Sequence, residues 1–91
     1  MSARAATIER RLREQLNAER IEIADESAGH AGHAGAASGG GHFALTVVSP
    51  RFSGLNSIQR HRLVYAALGD LMQTEVHALS IRALAPGEGE D

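Results

Sequence analysis

The order of its amphipathic segments predicts an α+β fold with the element order α-β-β-α-β. Three observations predict it: a four-residue apolar repeat near the N-terminus, three stretches in which apolar and polar residues alternate, and a helical pattern between the second and third stretch. Strands joined through a helix favour parallel pairing, whereas strands joined by a loop pair antiparallel. We therefore expect a three-stranded mixed sheet with helices packed on one face.

The N-terminal third supplies the first helix and the first strand. Ile8, Leu12 and Leu16 recur every four residues, which predicts a helix over about residues 3–17. Ile21 and Ile23 then alternate with Glu22 and Ala24 in a strand that ends near Asp25. Residues 27–41 contain no large apolar side chain, so this segment is predicted to be a flexible loop.

The remainder supplies the last strands and the second helix. Alternation of apolar and polar residues predicts a second strand over 42–49. Ser57 is the predicted N-cap of a helix that runs to about Gln73. Alternation returns over 77–84 and predicts the third strand. We assign residues 1–86 to a single domain and 87–91 to an acidic tail in which Glu88 and Glu90 are solvated.

Composition excludes several functional classes. The net charge is -2 and all nine cations are arginine, so bulk electrostatic attachment to nucleic acid is disfavoured. The 91 residues include no cysteine, which excludes disulfides and a thiolate nucleophile. No membrane span, secretion signal, nucleophile elbow or phosphate-binding glycine loop is recognisable. We expect a cytoplasmic protein that is not an enzyme.

Four of the five histidines are placed at one edge of the sheet by the predicted connectivity. His42 opens the second strand, His77 opens the third, and His30 and His33 lie on the loop between the first two strands. Imidazole suits iron, zinc and copper, and two histidines can ligate one iron of a [2Fe–2S] cluster. A metal or cluster site is one interpretation; solvated surface histidines are the other.

Three residues near the start of the second helix also leave two interpretations open. His61 falls on the apolar helix face, which favours a half-buried packing role over a ligand role. Arg60 and Arg62 flank that face and are either solvated charges or contacts for an anion or an acidic partner near a helix N-terminus.

The segment RFSGLNSIQRHRLVYAAL from Arg51 to Leu68, followed by VHALSI from Val76 to Ile81, resembles the BolA family. The resemblance covers about residues 4–86 and implies a class II KH-like fold. It also implies binding to a monothiol (CGFS) glutaredoxin and a shared [2Fe–2S] cluster, whose thiolates come from the glutaredoxin cysteine and glutathione. On this chain it implies His77 and either His30 or His33 as ligands, and the DES-x-x-His spacing favours His30.

The same resemblance implies an alternative function as a DNA-binding transcriptional regulator linked to cell shape and stress. A helix-turn-helix-like segment would then span Gly54–Leu71, with Arg51, Arg60 and Arg62 as phosphate contacts beside His61. The net charge weighs against tight DNA binding by this chain. Alone, we expect it to be a monomer or a weak homodimer with no membrane association.

Overall fold

A computed structural model of the chain describes residues 2–26 and 41–89. Within these ranges, three helices and a 3-10 turn accompany a three-stranded sheet, and the long elements follow the order predicted above. The predicted 27–41 loop lies, except for Gly41, outside the described residues. The elements are α1 (Ala3–Leu16), β1 (Arg20–Asp25), β2 (Gly41–Val48), a 3-10 turn (Pro50–Phe52), α2 (Ser57–Leu68), α3 (Leu71–Thr74) and β3 (Val76–Leu84).

The sheet has the strand order β1-β2-β3, with β2 in the centre. β1 pairs antiparallel with β2, and β2 pairs parallel with β3, in the register Phe43↔Leu79 and Leu45↔Ile81. The predicted mixed sheet is therefore confirmed, including the parallel pair made by the helical crossover.

The core lies between the helices and one face of the sheet. Phe43, Leu45 and Val47 point towards the helices and are almost fully buried. On the other face of β2, the residues from His42 to Thr46 are half-buried. The predicted helices on one face are confirmed. Phe43 and Phe52 are the largest fully buried side chains, so the core is less purely aliphatic than the 3% aromatic content suggests. The helices contribute Ala5, Ile8, Leu12, Leu16, Val64, Ala67 and Leu68.

The predicted second helix is wrong at both ends. Asn56, not Ser57, is the N-cap, because Asn56 and Gln59 satisfy each other's backbone N–H groups in a capping box. The helix stops at Leu68 rather than Gln73, because Gly69 adopts φ +53° and breaks the hydrogen-bond ladder before the short α3 begins.

A register irregularity lies at the start of β3. Gly41 pairs with Val76, but the next residue of β2, His42, pairs with Ala78. β3 therefore carries one extra residue at this point, which breaks the alternation so that Val76 is buried while His77 and Ala78 are both exposed.

Within the part of the chain that the structure describes, none of the helices has the length and apolar character that crossing a membrane requires.

Candidate functional site

His42 and His77 lie side by side at the end of the sheet where β2 and β3 begin. The bulge brings their rings together, with centroids 5.1 Å apart and the planes inclined at 38°. His77 is exposed, and His42 is half-buried. The predicted convergence of these two histidines is thus present in the structure.

The two ends of the 27–40 segment are fixed beside this histidine pair. The backbone N–H of Glu26 donates to the carbonyl oxygen of His42 at 2.8 Å, and the N–H of Gly41 donates to the carbonyl of Glu75 at 3.1 Å. The predicted loop ligands His30 and His33 lie outside the described residues, so only the attachment points of their segment are defined.

The described residues supply two imidazoles at this position and not a complete metal site. Across residues 2–26 and 41–89, no group of three histidine, cysteine or acidic side chains is arranged to hold a metal ion. Two nitrogen donors alone do not make the closed four-ligand site of a structural zinc.

Arg60, predicted to be a solvated charge or an anion contact, forms an internal network. Its guanidinium donates to the carbonyl oxygens of Leu55 at 2.9 Å and Ala83 at 3.0 Å, and to both carboxylate oxygens of Glu88 at 2.5 and 3.0 Å. Only 14% of its side chain is exposed. The first interpretation, a solvated charge, is therefore wrong for Arg60.

Glu88 differs in the same way from its predicted place in a solvated tail. Its carboxylate accepts hydrogen bonds from Arg60 and from the backbone N–H of Ala85, and these bonds lower the pKa of Glu88 to about 2. The same contact raises the pKa of Arg60 above its ordinary value. The chain up to Glu88 is thereby fastened to α2.

The other predicted contacts are scattered around α2. Arg51 is exposed on the 3-10 turn and donates to the carbonyl of Gln15 at 3.3 Å, and Arg62 is exposed without a side-chain bond to another described residue. His61 is half-buried and lines a cleft beside β3, in agreement with its predicted packing role. The structure does not gather these three side chains into one site.

Comparison with known proteins decides the family. The family model described as "BolA-like protein" matches residues 12–88. The chain belongs to the BolA-like family. This BolA-like chain is 46% identical over 83 residues to the human BolA-like protein 1, covering 91% of the chain and 58% of the relative. The chain thus spans less than two thirds of the human protein, and the bovine BolA-like protein 1 is covered to 62%.

Solved structures agree with the BolA-like fold. The BolA domain of SufE1 from Arabidopsis thaliana superposes with a TM-score of 0.81 at 38% identity, covering 97% of this chain and 98% of that one.

A bacterial relative, the DNA-binding transcriptional regulator BolA of Escherichia coli, is 37% identical over 83 residues, covering 91% of this chain and 76% of the relative. The BolA-like family is not a known enzyme family.

Sequence reasoning missed the Arg60–Glu88 contact and the groove beside it. A signal for the contact was present, since Pro86 and Gly87 are turn residues that fold the chain back and bring Glu88 to the N–H of Ala85. The pairing with Arg60 itself spans 28 positions and has no local signature.

Proposed function

We propose that this BolA-like protein binds a monothiol glutaredoxin and shares ligation of its [2Fe–2S] cluster through His77 and a histidine of the 27–40 segment. The observation that supports the proposal most directly is the position of His77, exposed beside His42 at the sheet end where that segment is attached. A non-catalytic role in assembly, transfer or sensing of clusters follows from it.

The available donors fit a shared cluster. This chain has no cysteine, so thiolates must come from the partner, for which glutaredoxin and glutathione are the sources that the family resemblance implies. Histidine is an established ligand for one iron of a [2Fe–2S] centre. His30 is the fourth residue after Glu26, and four steps of an extended chain span at most about 14 Å. His30 is therefore tethered within reach of the sheet end.

A titration tests the proposal. The apo protein is added to cluster-loaded monothiol glutaredoxin, and visible absorption and circular dichroism are followed. We expect a saturable spectral change, because imidazole replaces another ligand on one iron. His77→Ala should weaken the response about tenfold or more, given the cost of disturbing ligation at metal sites.

His61→Ala is the matched control, since it removes an imidazole that lies on α2, away from the sheet end. His30→Ala and His33→Ala, measured separately, identify the loop ligand. If the spectrum is unchanged by the wild-type protein, or responds equally to His77→Ala and His61→Ala, the cluster proposal is wrong. Binding without a spectral change would indicate an adaptor that touches glutaredoxin only.

Regulation of transcription through DNA binding is the second candidate. The name of the Escherichia coli relative and the exposed Arg62 on α2 favour it. Phosphate contacts predict affinity for promoter fragments that falls steeply with salt, and Arg62→Gln should reduce the salt slope by about one. Absence of binding at low salt would eliminate this function.

A further inference from the structure

β3 is a long strand at the edge of the sheet. It has nine residues, and its only charged side chain besides the histidine is Arg82. The opposite edge, β1, carries charges at Arg20, Glu22 and Asp25. Charged edges resist pairing with other chains, whereas long edges with few charges are templates for an added strand. β3 is the more receptive of the two edges.

The backbone of β3 offers groups for such pairing. The N–H of Ser49 donates to the carbonyl of Leu84 at 3.0 Å, which fixes the alternation of the parallel ladder. The backbone N–H and C=O groups that point towards β2 are therefore those of Ser80, Arg82 and Leu84. The groups that point outwards, away from the sheet, are those of Leu79, Ile81 and Ala83. Among the described residues, the one side chain that bonds an outward group is Arg60, on the carbonyl of Ala83.

A groove runs along this edge, between β3 and the start of α2. It has a volume of about 270 Å³. One wall is formed by Ile81, Arg82 and Ala83, and the other by Ser57, Arg60 and His61. The groove contains two arginines, of which Arg60 is paired with Glu88.

A carboxylate already occupies the Arg60 end of the groove. Glu88, in the turn after β3, binds the guanidinium of Arg60 through both of its oxygens. The chain's own residue therefore shows which chemical group this end accepts, and Glu88 is 46% exposed, so its carboxylate can be displaced into water.

We propose that the groove binds an extended acidic peptide segment of a partner protein, which adds to β3 as a fourth strand and places a carboxylate where Glu88 now sits. Backbone pairing with Leu79 and Ile81 supplies register, and the two arginines select acidic side chains. Single-stranded nucleic acid fits less well, because His61 is the one ring among the described residues that line the groove, and successive bases stack on several rings.

The groove is separate from the histidine pair. Ile81 lies four residues along β3 from His77, about 13 Å at the rise of a strand. Peptide binding here does not depend on cluster ligation, so each proposal can fail without the other.

Nuclear magnetic resonance of the whole ¹⁵N-labelled chain tests the inference. The probe is a blocked octapeptide of alternating threonine and glutamate, and its control is the same peptide with lysine in place of glutamate. We expect saturable shifts with the acidic peptide alone. We also expect the amide protons of Leu79 and Ile81 to exchange with solvent about tenfold more slowly, because strand addition buries them.

Three variants sharpen the test. Glu88→Gln should strengthen peptide binding about two- to fivefold, because it removes the carboxylate that competes with the peptide for Arg60. Arg82→Gln should weaken binding, whereas Arg10→Gln, which removes the same charge from the exposed face of α1, should leave it unchanged.

Several results would overturn the inference. Equal binding of the lysine peptide would show that the groove does not select acidic side chains. Chemical-shift changes without slower amide exchange at Leu79 and Ile81 would show an anion contact without strand addition. Tighter binding of an oligothymidylate would make the groove a nucleic-acid site. Protection of the same amides by raising protein concentration alone would assign the edge to a second copy of this chain.

Discussion

Ser49 fastens the end of α1 to the end of β2, and Ser49→Ala tests how strongly that connection stabilises the fold. The side chain is fully buried. Its hydroxyl donates to the carbonyl oxygen of Leu16 at 2.6 Å and accepts from the N–H of Arg51 at 3.1 Å. Leu16 is the last residue of α1, so its carbonyl has no partner within the helix.

Alanine fits the same space but removes both hydrogen bonds. The larger effect is on the Leu16 carbonyl, because a buried acceptor left without a donor costs about 1–3 kcal/mol. We expect the free energy of unfolding to fall by about 2 kcal/mol. At about 2.1 cal/mol/K per residue, the 91 residues give an unfolding entropy near 0.19 kcal/mol/K, so Tm should fall by about 10 °C.

Urea denaturation and a thermal scan, both followed by far-ultraviolet circular dichroism, measure the change. Ser80→Ala is the matched control, since Ser80 is exposed on β3 and its substitution should change stability by less than about 0.5 kcal/mol. If Ser49→Ala lowers the free energy of unfolding by no more than this control does, water satisfies the Leu16 carbonyl and the Ser49 hydroxyl does not hold α1 to the sheet.

Three further predictions concern α2 and the turns around it. Gly69→Ala should destabilise the fold by about 1–3 kcal/mol in urea denaturation, because φ +53° is unfavourable for a residue with a Cβ. Asn56→Ala should lower the free energy of unfolding by about 1 kcal/mol in the same assay, because the capping box is lost. A change in the denaturant m-value without a change in the urea midpoint would contradict this. The bond from Arg60 depresses the pKa of Glu88, so its stabilising effect is present above the unfolded pKa near 4.5 and is lost as the pH falls towards 2. Urea midpoints of the wild type and Glu88→Gln should therefore differ at pH 7 and converge near pH 2.

Much of the fold could be predicted because its elements carry periodic apolar patterns. The repeat of Ile8, Leu12 and Leu16 located α1 to within a residue, and the helical crossover fixed the parallel pairing of β2 and β3. The end of α2 was harder, because the apolar pattern continues through Leu71 and Met72 while the backbone at Gly69 does not. An apolar repeat shows which face of a helix is buried, but it does not show where a single residue leaves helical geometry.

The candidate site was predictable only as far as connectivity decides it. Topology alone placed His42 and His77 at one sheet edge, and the structure agrees. The bulge at the start of β3 exposes His77 beside His42, and it has no sequence signature. Apolar and polar residues still alternate along β2 and along the rest of β3. The sequence left two interpretations of Arg60 open, because its partner, Glu88, approaches only through tertiary folding.

The hydrogen bond from Glu26 to His42 closes the β1–β2 ladder before the chain leaves it, and this has a consequence for how the protein can diversify. Both ends of the segment are held by backbone bonds to neighbouring residues, and doubling the length of a flexible loop between two fixed ends costs only about 0.6 kcal/mol. Mutations there can add, remove or reposition metal-binding side chains while the rest of the molecule keeps its stability. Part of the proposed ligand set is thereby free to evolve apart from the folded core, whereas His77 belongs to β3 itself.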